Sequence, residues 1–423
     1  MLKNIRLAPT LYILYILSMV LLLLTHDPVI AADTASYVNF SVNRPLLYPI
    51  FIWLFKWCGI YQFAAITWAK TIIYGMSLVY ARMWLRRHLN LSDFLIFLLF
   101  CFTTITTFRF ALLSESLTVP IFIMAFFSAV EFVTIFQLKK VIWFAVWTTL
   151  LILTRTQFYY FYLLYILIIF ICWQQKQAYK NLMLVSVVLL SSIVLTILFN
   201  TVYAYFVRGQ HDCNISLGNQ LIVQPLYMAD MNVTDYFNNF TQKKYVSSVL
   251  TQMKKEKLSY NDTPTNPVYL QDIYAYYGFN YNAIQRITCS SIKNVLLSES
   301  EQSRFLIDVS KILYLHDIKK NLVLYTWKFV EFFGGLPVFF GFLIILAAVG
   351  SGLISNKGTR FSIEQAFVTV GIIILFLNNS LVALVETYIT RYFFYNYFIY
   401  YCFAILAADR LFFSVGARAK IYS

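Results

Sequence analysis

Ten apolar blocks separated by polar connections constrain this chain more than any other feature. They are Ala8–Leu24, Gln62–Ala81, Phe94–Phe108, Leu117–Phe136, Val141–Leu153, Phe158–Trp173, Leu182–Tyr203, Phe332–Ile354, Gln365–Val385 and Tyr392–Ala408. Most are close to the roughly 20 residues that an α-helix needs to cross a bilayer. Val141–Leu153 is short, and spans only if its helix continues through Thr154-Arg155-Thr156 into a protein-lined cavity. With 60% hydrophobic and 12% charged residues, the 423-residue chain is not a soluble domain. The expected fold is an all-α polytopic membrane protein of about ten transmembrane helices.

Charge orients the helices. Lys3 and Arg6 precede the first block, and Arg86, Arg87, Lys139, Lys140, Lys176, Lys180, Lys357, Arg360, Arg410, Arg418 and Lys420 fall after every second one. Basic residues mark cytoplasmic loops, so both termini are expected inside. The first apolar run has 17 residues, longer than the roughly 7 to 15 of a signal-peptide core, so it is expected to remain as a span. The net charge of +14 is scattered over loop ends and forms no single face, which argues against a nucleic-acid partner.

Three regions follow: an N-terminal membrane module, 1–203; a polar outer domain, 204–325; and C-terminal membrane helices, 326–423. In the polar region, Asn282–Leu297 and Gln302–Leu315 carry apolar residues at helical spacing, and the Asn-, Asp- and Thr-rich first half reads as loop. Tyr269, Tyr274, Tyr276, Tyr277 and Tyr281 fit a surface on lipid headgroups or sugar rings. Cys213 and Cys289 are the two cysteines expected on the oxidising side, where they can pair. Asn214, Asn232, Asn239 and Asn261 open N-x-S/T sequons.

The polar loop His26–Pro49, expected outside, carries the chemistry. It holds Asp27, Asp33, Tyr37, Arg44 and the rigid run Arg44-Pro45-Leu46-Leu47-Tyr48-Pro49. An acid, an aromatic and an arginine at a membrane surface suit a site that deprotonates one substrate and grips an anionic group on another. Leu46–Cys58 then reads as an interfacial helix with Trp53 and Trp57 at the headgroup level, ended by Gly59. The order Asp33-x-x-x-Tyr37, a spacer, Arg44-Pro45-x-x-Tyr48-Pro49, an apolar helix and Gly59 resembles the first outer loop of GT-C integral-membrane glycosyltransferases, of the mannosyltransferase and aminoarabinose-transferase type. Thr34 stands where many members carry a second acid.

The resemblance implies Asp33 as the catalytic residue and a polyprenyl-phosphate sugar as donor. Glu115, in Leu113-Ser114-Glu115-Ser116-Leu117, resembles the acid that such enzymes carry at the outer start of a span, and Asp27 is the remaining candidate acid. Arg391-Tyr392 resembles the late Arg-Tyr pair, whose arginine meets the lipid phosphate. Arg44, Arg109, Arg155 and Lys328 map to the same side, where anionic partners or internal salt bridges such as Arg109 with Glu115 or Glu386 with Arg391 would hold them. The candidate site is therefore Asp33, Glu115 and Asp27 for catalysis, with Arg44, Tyr37, Tyr48, Arg155, Arg391 and Tyr392 for substrate. No metal-ligand spacing is present; a divalent ion could use only Asp27, His26 and Glu115.

The expected activity is transfer of a sugar from polyprenyl phosphate to an outward-facing lipid, glycan or protein acceptor, in the inner membrane and among membrane lipids. The alternatives are a lipid-linked glycan polymerase and a glycolipid flippase. A transport path usually places ionisable residues in mid-membrane, and here only Lys70 and Glu131 lie there.

Overall fold

A backbone in hydrocarbon must satisfy its own N–H and C=O groups, which leaves helices as the economical solution for isolated apolar segments. The computed structural model describes residues 7–412 apart from 32, 42–43, 109, 135–136, 175–178, 209–214, 263–269, 296–298, 356–361 and 386–391. Arg109, Cys213, Tyr269, Glu386 and Arg391 thus lie outside the described residues. Among those described there are eighteen α-helices and no strand, the nearest thing being one isolated β-bridge.

The helices are α1 (Leu7–Thr25), α2 (Thr34–Val38), α3 (Leu47–Trp53), α4 (Gln62–Leu89), α5 (Asp93–Thr107), α6 (Glu115–Thr134), α7 (Leu138–Thr154), α8 (Phe161–Gln174), α9 (Tyr179–Arg208), α10 (Ile215–Leu221), α11 (Val223–Met228), α12 (Phe240–Lys255), α13 (Leu270–Ile292), α14 (Glu299–His316), α15 (Ile318–Glu331), α16 (Leu336–Ser355), α17 (Ile363–Val385) and α18 (Phe394–Phe412). Among the described residues, Lys56–Leu89, Glu115–Thr134, Asn181–Val207 and Ile363–Val385 are long and apolar enough to cross a membrane. A fifth span results if α15 and Leu336–Ala348, bent by 82°, count as one.

The chain forms two compact units. The first comprises Met1–Val207, Leu346–Phe376 and Thr390–Ser423, and the second Arg208–Ile345 with Leu377–Ile389. In the first, α6 is the hub: 89% of its apolar stretch is buried against neighbours, against 22% for α9, which exposes Leu184, Val187, Leu190 and Val194. Gly371 lets α17 approach α18 closely, because a Cβ there would lie 2.5 Å from the Phe403 ring. The short block Val141–Leu153 gains length at its basic end, since α7 begins at Leu138 and takes in Lys139 and Lys140. The chain then turns at Arg155 into a 3₁₀ stretch, Thr156–Tyr160, that leads to α8.

The interfacial helix is shorter than expected. α3 ends at Trp53, and a separate 3₁₀ stretch, Lys56–Tyr61, passes through Gly59 at φ +57°, a conformation that suits glycine. Trp53 and Trp57 are nonetheless exposed.

The second unit corrects two expectations. Its first half is helical where a loop was expected: α12 aligns Tyr245, Val246, Val249, Leu250 and Met253 along one buried stripe. Asn239 caps that helix by accepting from the Thr241 and Gln242 amides, so an asparagine that reads as loop starts a helix instead. Tyr277 and Tyr281 do not form a surface. They are buried in the core with Tyr227, Val246, Val249 and Ile284, because α13 turns its apolar stripe inward. Cys289 on α13 carries a free thiol, while Cys213, its expected partner, is not among the described residues.

Candidate functional site

Two polar connections of the first unit meet through backbone. Val29 pairs with Ala111 in a parallel bridge: the Val29 amide donates to the Phe110 carbonyl (3.3 Å) and the Leu112 amide donates to the Val29 carbonyl (3.0 Å). Thr34 reinforces the join, since its hydroxyl accepts from the Ala31 amide (2.9 Å) and donates to the Leu112 carbonyl (3.1 Å). Lys70, fully buried on α4, donates from Nζ to the Ala111 carbonyl (2.8 Å). The loop after α1 is thereby fixed against the start of α6. This brings Asp33 and Glu115 into one network, although 81 residues separate them in the chain.

The network runs without a break. Arg44 reaches Asp33 Oδ1 (2.6 Å), the Ser36 hydroxyl (2.7 Å) and the Tyr37 hydroxyl (3.4 Å), and its guanidinium lies over the Tyr37 ring. The Tyr37 hydroxyl shares a hydrogen bond with Ser114 Oγ (3.0 Å), and Ser114 donates to Glu115 Oε2 (3.3 Å). Glu115 Oε1 forms an ion pair with Arg155 at 2.6 Å, and the Arg155 guanidinium lies over the Tyr392 ring, 4.8 Å from its centre. Gln157 donates to the Tyr392 carbonyl (3.1 Å), which fixes that ring's backbone. Fully buried Tyr395 packs against Phe158 beneath the Arg155 turn.

Burial separates the two ion pairs. The side chains of Glu115 and Arg155 are 5% and 12% exposed, those of Asp33 and Arg44 28% and 25%. A charge taken out of water must be paired, so Glu115 and Arg155 stabilise each other as an internal strut, while solvent and solutes can reach Asp33. Arg44 has five N–H donors; three are directed at Asp33, Ser36 and Tyr37, which leaves donors for an anion at the half-exposed end.

The network gathers Asp33, Tyr37, Arg44, Glu115, Arg155 and Tyr392, all candidates from the sequence. Tyr48 is fully buried edge-on against Tyr37, 4.8 Å between ring centres, so it positions Tyr37 and touches no solvent. Burial also pushes its phenol far up from the ordinary tyrosine range and keeps it neutral. Asp27 is exposed and outside the network, and His26 stacks on Phe110. Glu115 turns inward to Arg155, so His26, Asp27 and Glu115 do not converge. Among the described residues no group of three or more His, Cys, Asp or Glu side chains is placed to hold a metal ion. Glu115 pairs with Arg155; Arg109, the other cation considered for it, lies outside the described residues.

Ser36, Ser114, Thr34 and Lys70 escaped the sequence reading as site residues. A lone hydroxyl carries no periodic signal; Lys70 did signal, as a cation inside an apolar block. Compared with protein-family models, curated proteins and solved structures, the chain matches none.

Proposed function

We propose that the chain is a membrane glycosyltransferase of GT-C type, which moves a sugar from polyprenyl phosphate to an acceptor hydroxyl or amine. The observation that carries this reading is the continuous polar network from Asp33 through Arg44, Tyr37, Ser114 and Glu115 to Arg155, at the ends of apolar helices. We read α1, α4 to α9 and α16 to α18 as ten spans of the inner membrane, with the network facing outward and the polar region 204–325 as an outer domain. The exposed apolar faces of α1 and α9 support reading these two helices as spans.

In the reaction the bond between the anomeric carbon and the phosphate oxygen breaks, and a bond from that carbon to the acceptor forms. Asp33, the reachable acid, accepts the acceptor's proton, and the polyprenyl phosphate leaves with the electron pair. Arg44 holds Asp33 in one rotamer and turns its remaining donors toward the leaving phosphate, assisted by Arg391. Glu115 and Arg155 keep Tyr37 and Ser114 in register from behind. A largely apolar groove of about 510 Å³ between α4, α6 and α7, lined by Ile73, Met76, Tyr80, Ile121, Met124 and Trp147, suits an isoprenoid chain. Its α6 residues lie five to nine positions beyond Glu115, roughly 8 to 14 Å along the helix.

The test is to incubate the purified protein in lipid nanodiscs with radiolabelled polyprenyl-phosphate sugars and measure released polyprenyl phosphate. Release that depends on an added acceptor is expected. No release from any of a panel of such donors and acceptors would refute transferase activity.

A further inference from the structure

Helix α15 presents two unlike faces. Asn321, Leu324 and Lys328 are buried, Leu324 in the hydrophobic core of the second unit and Lys328 with its Nζ donating to Gln224 Oε1 (3.0 Å). A second face carries Ile318, Leu322, Tyr325 and Phe329, which share one side of the helix by their three- and four-residue spacing. Toward the C-terminal end this face meets two apolar helices: the Tyr325 hydroxyl donates to the Ser380 carbonyl of α17 (3.4 Å), and the Phe329 ring packs edge-on against Phe339 of α16, 5.6 Å between centres. Toward the start of α15 the same face is uncovered, with Ile318 57% and Leu322 59% exposed. Lys319, also exposed, borders it.

The turn into α16 sets the direction of this face. Gly334 and Gly335 take φ of +97° and +90°, which residues with a side chain rarely adopt, and α15 and Leu336–Ala348 are bent by 82° across them. α16 has no charged residue and exposes Phe340 and Ile344. A helix so close to perpendicular to a span lies near the membrane plane. Because Tyr325 and Phe329 touch α17 and α16, the side they share with Ile318 and Leu322 is the one turned to those apolar helices, and so to the lipid around them. An amphipathic helix in this attitude buries its apolar face at the headgroup boundary, while a lysine at the edge extends its charged end back into the polar layer.

We infer that α15 is an interfacial helix that lies along the outer membrane surface, with Ile318 and Leu322 among the upper acyl chains and Lys319 at the headgroup phosphates. The inference rests on reading α16 and α17 as spans, and not on sugar transfer.

To test this, an environment-sensitive fluorescent amino acid is incorporated singly in place of Ile318, Leu322, Ile344 or Lys244 of the full-length chain, in nanodiscs whose lipids do or do not carry bromine on the acyl chains. Emission from the probes at Ile318 and Leu322 should fall by roughly half in lipids brominated about 5 to 10 Å below the headgroups, the depth of an interfacial apolar face. Bromine nearer the chain ends should quench the probe at Ile344 instead. Iodide in the buffer should quench the probe at Lys244, exposed on α12, more strongly than those at Ile318 and Leu322. Bromine quenching at Ile344 but at neither Ile318 nor Leu322 would overturn the inference and leave the spans standing, whether those two probes are open to iodide or shielded from both quenchers by a second copy of the chain. No bromine quenching at Ile344 would overturn the span reading and the inference with it. Elution as monodisperse protein confirms that each labelled chain is folded.

Discussion

Single residues carry the site, and the two ion pairs should respond differently to substitution. Removing Arg155 takes away the cation that Glu115 Oε1 meets at 2.6 Å in a buried setting, so Arg155→Ala is expected to destabilise the first unit by about 3 to 5 kcal/mol. Arg44→Ala affects a pair that water already reaches, and should cost about 0 to 1 kcal/mol. Thermal midpoints in one detergent should rank native, Arg44→Ala and Arg155→Ala in that order. Adding Glu115→Gln to Arg155→Ala should recover part of the loss, because no uncompensated charge remains. Equal midpoints for the two single variants would contradict the distinction.

Much of this residue-scale picture was legible in the sequence. Asp33, Arg44, Glu115 and Arg155 stand out because charges near apolar blocks need a reason to be there. Which charge meets which was not legible. The Val29–Ala111 bridge is one residue long and has no alternation, and Ser114 joins two candidates through a hydroxyl that nothing in its spacing marks.

At the scale of elements, long apolar helices such as α1 and α6 follow from their composition within a few residues, since an unbroken apolar run permits little else. The helices of the second unit were harder to see, because polar caps and amphipathic stripes look like loop when read for hydropathy. Two substitutions probe them. Asn239→Ala removes the α12 cap and should cost about 1 kcal/mol. At Gly218 on α10, an added Cβ would lie 2.6 Å from the Ser303 carbonyl oxygen and 3.0 Å from Leu306 Cβ on α14. Backbone cannot yield as a side-chain tip can, so Gly218→Ala should destabilise by about 1 to 3 kcal/mol. Limited proteolysis should cut the second unit of Gly218→Ala faster than that of the native protein while leaving the first unit unchanged; native resistance would mean that α10 and α14 are not so tightly apposed.

For the molecule as a whole, the charge distribution implies a definite sidedness. Cysteines introduced at Arg86, Lys139, Lys176 and Lys357 should be labelled from the cytoplasmic side, and those at Asp33 and Asn261 from the other. Labelling of positions 33 and 87 from one side would contradict the ten-span arrangement. On the transferase reading proposed above, activity rests on the Asp33 carboxylate as proton acceptor. Asp33→Asn keeps size and hydrogen bonding and removes the proton acceptor, so sugar transfer should fall by roughly two to four powers of ten while donor binding stays near native. The most direct measurement is the acceptor-dependent rate of polyprenyl-phosphate release by native and Asp33→Asn proteins at equal, verified donor occupancy. A large fall in rate at unchanged occupancy is the predicted result, and an Asp33→Asn protein that folds and transfers at the native rate would contradict it.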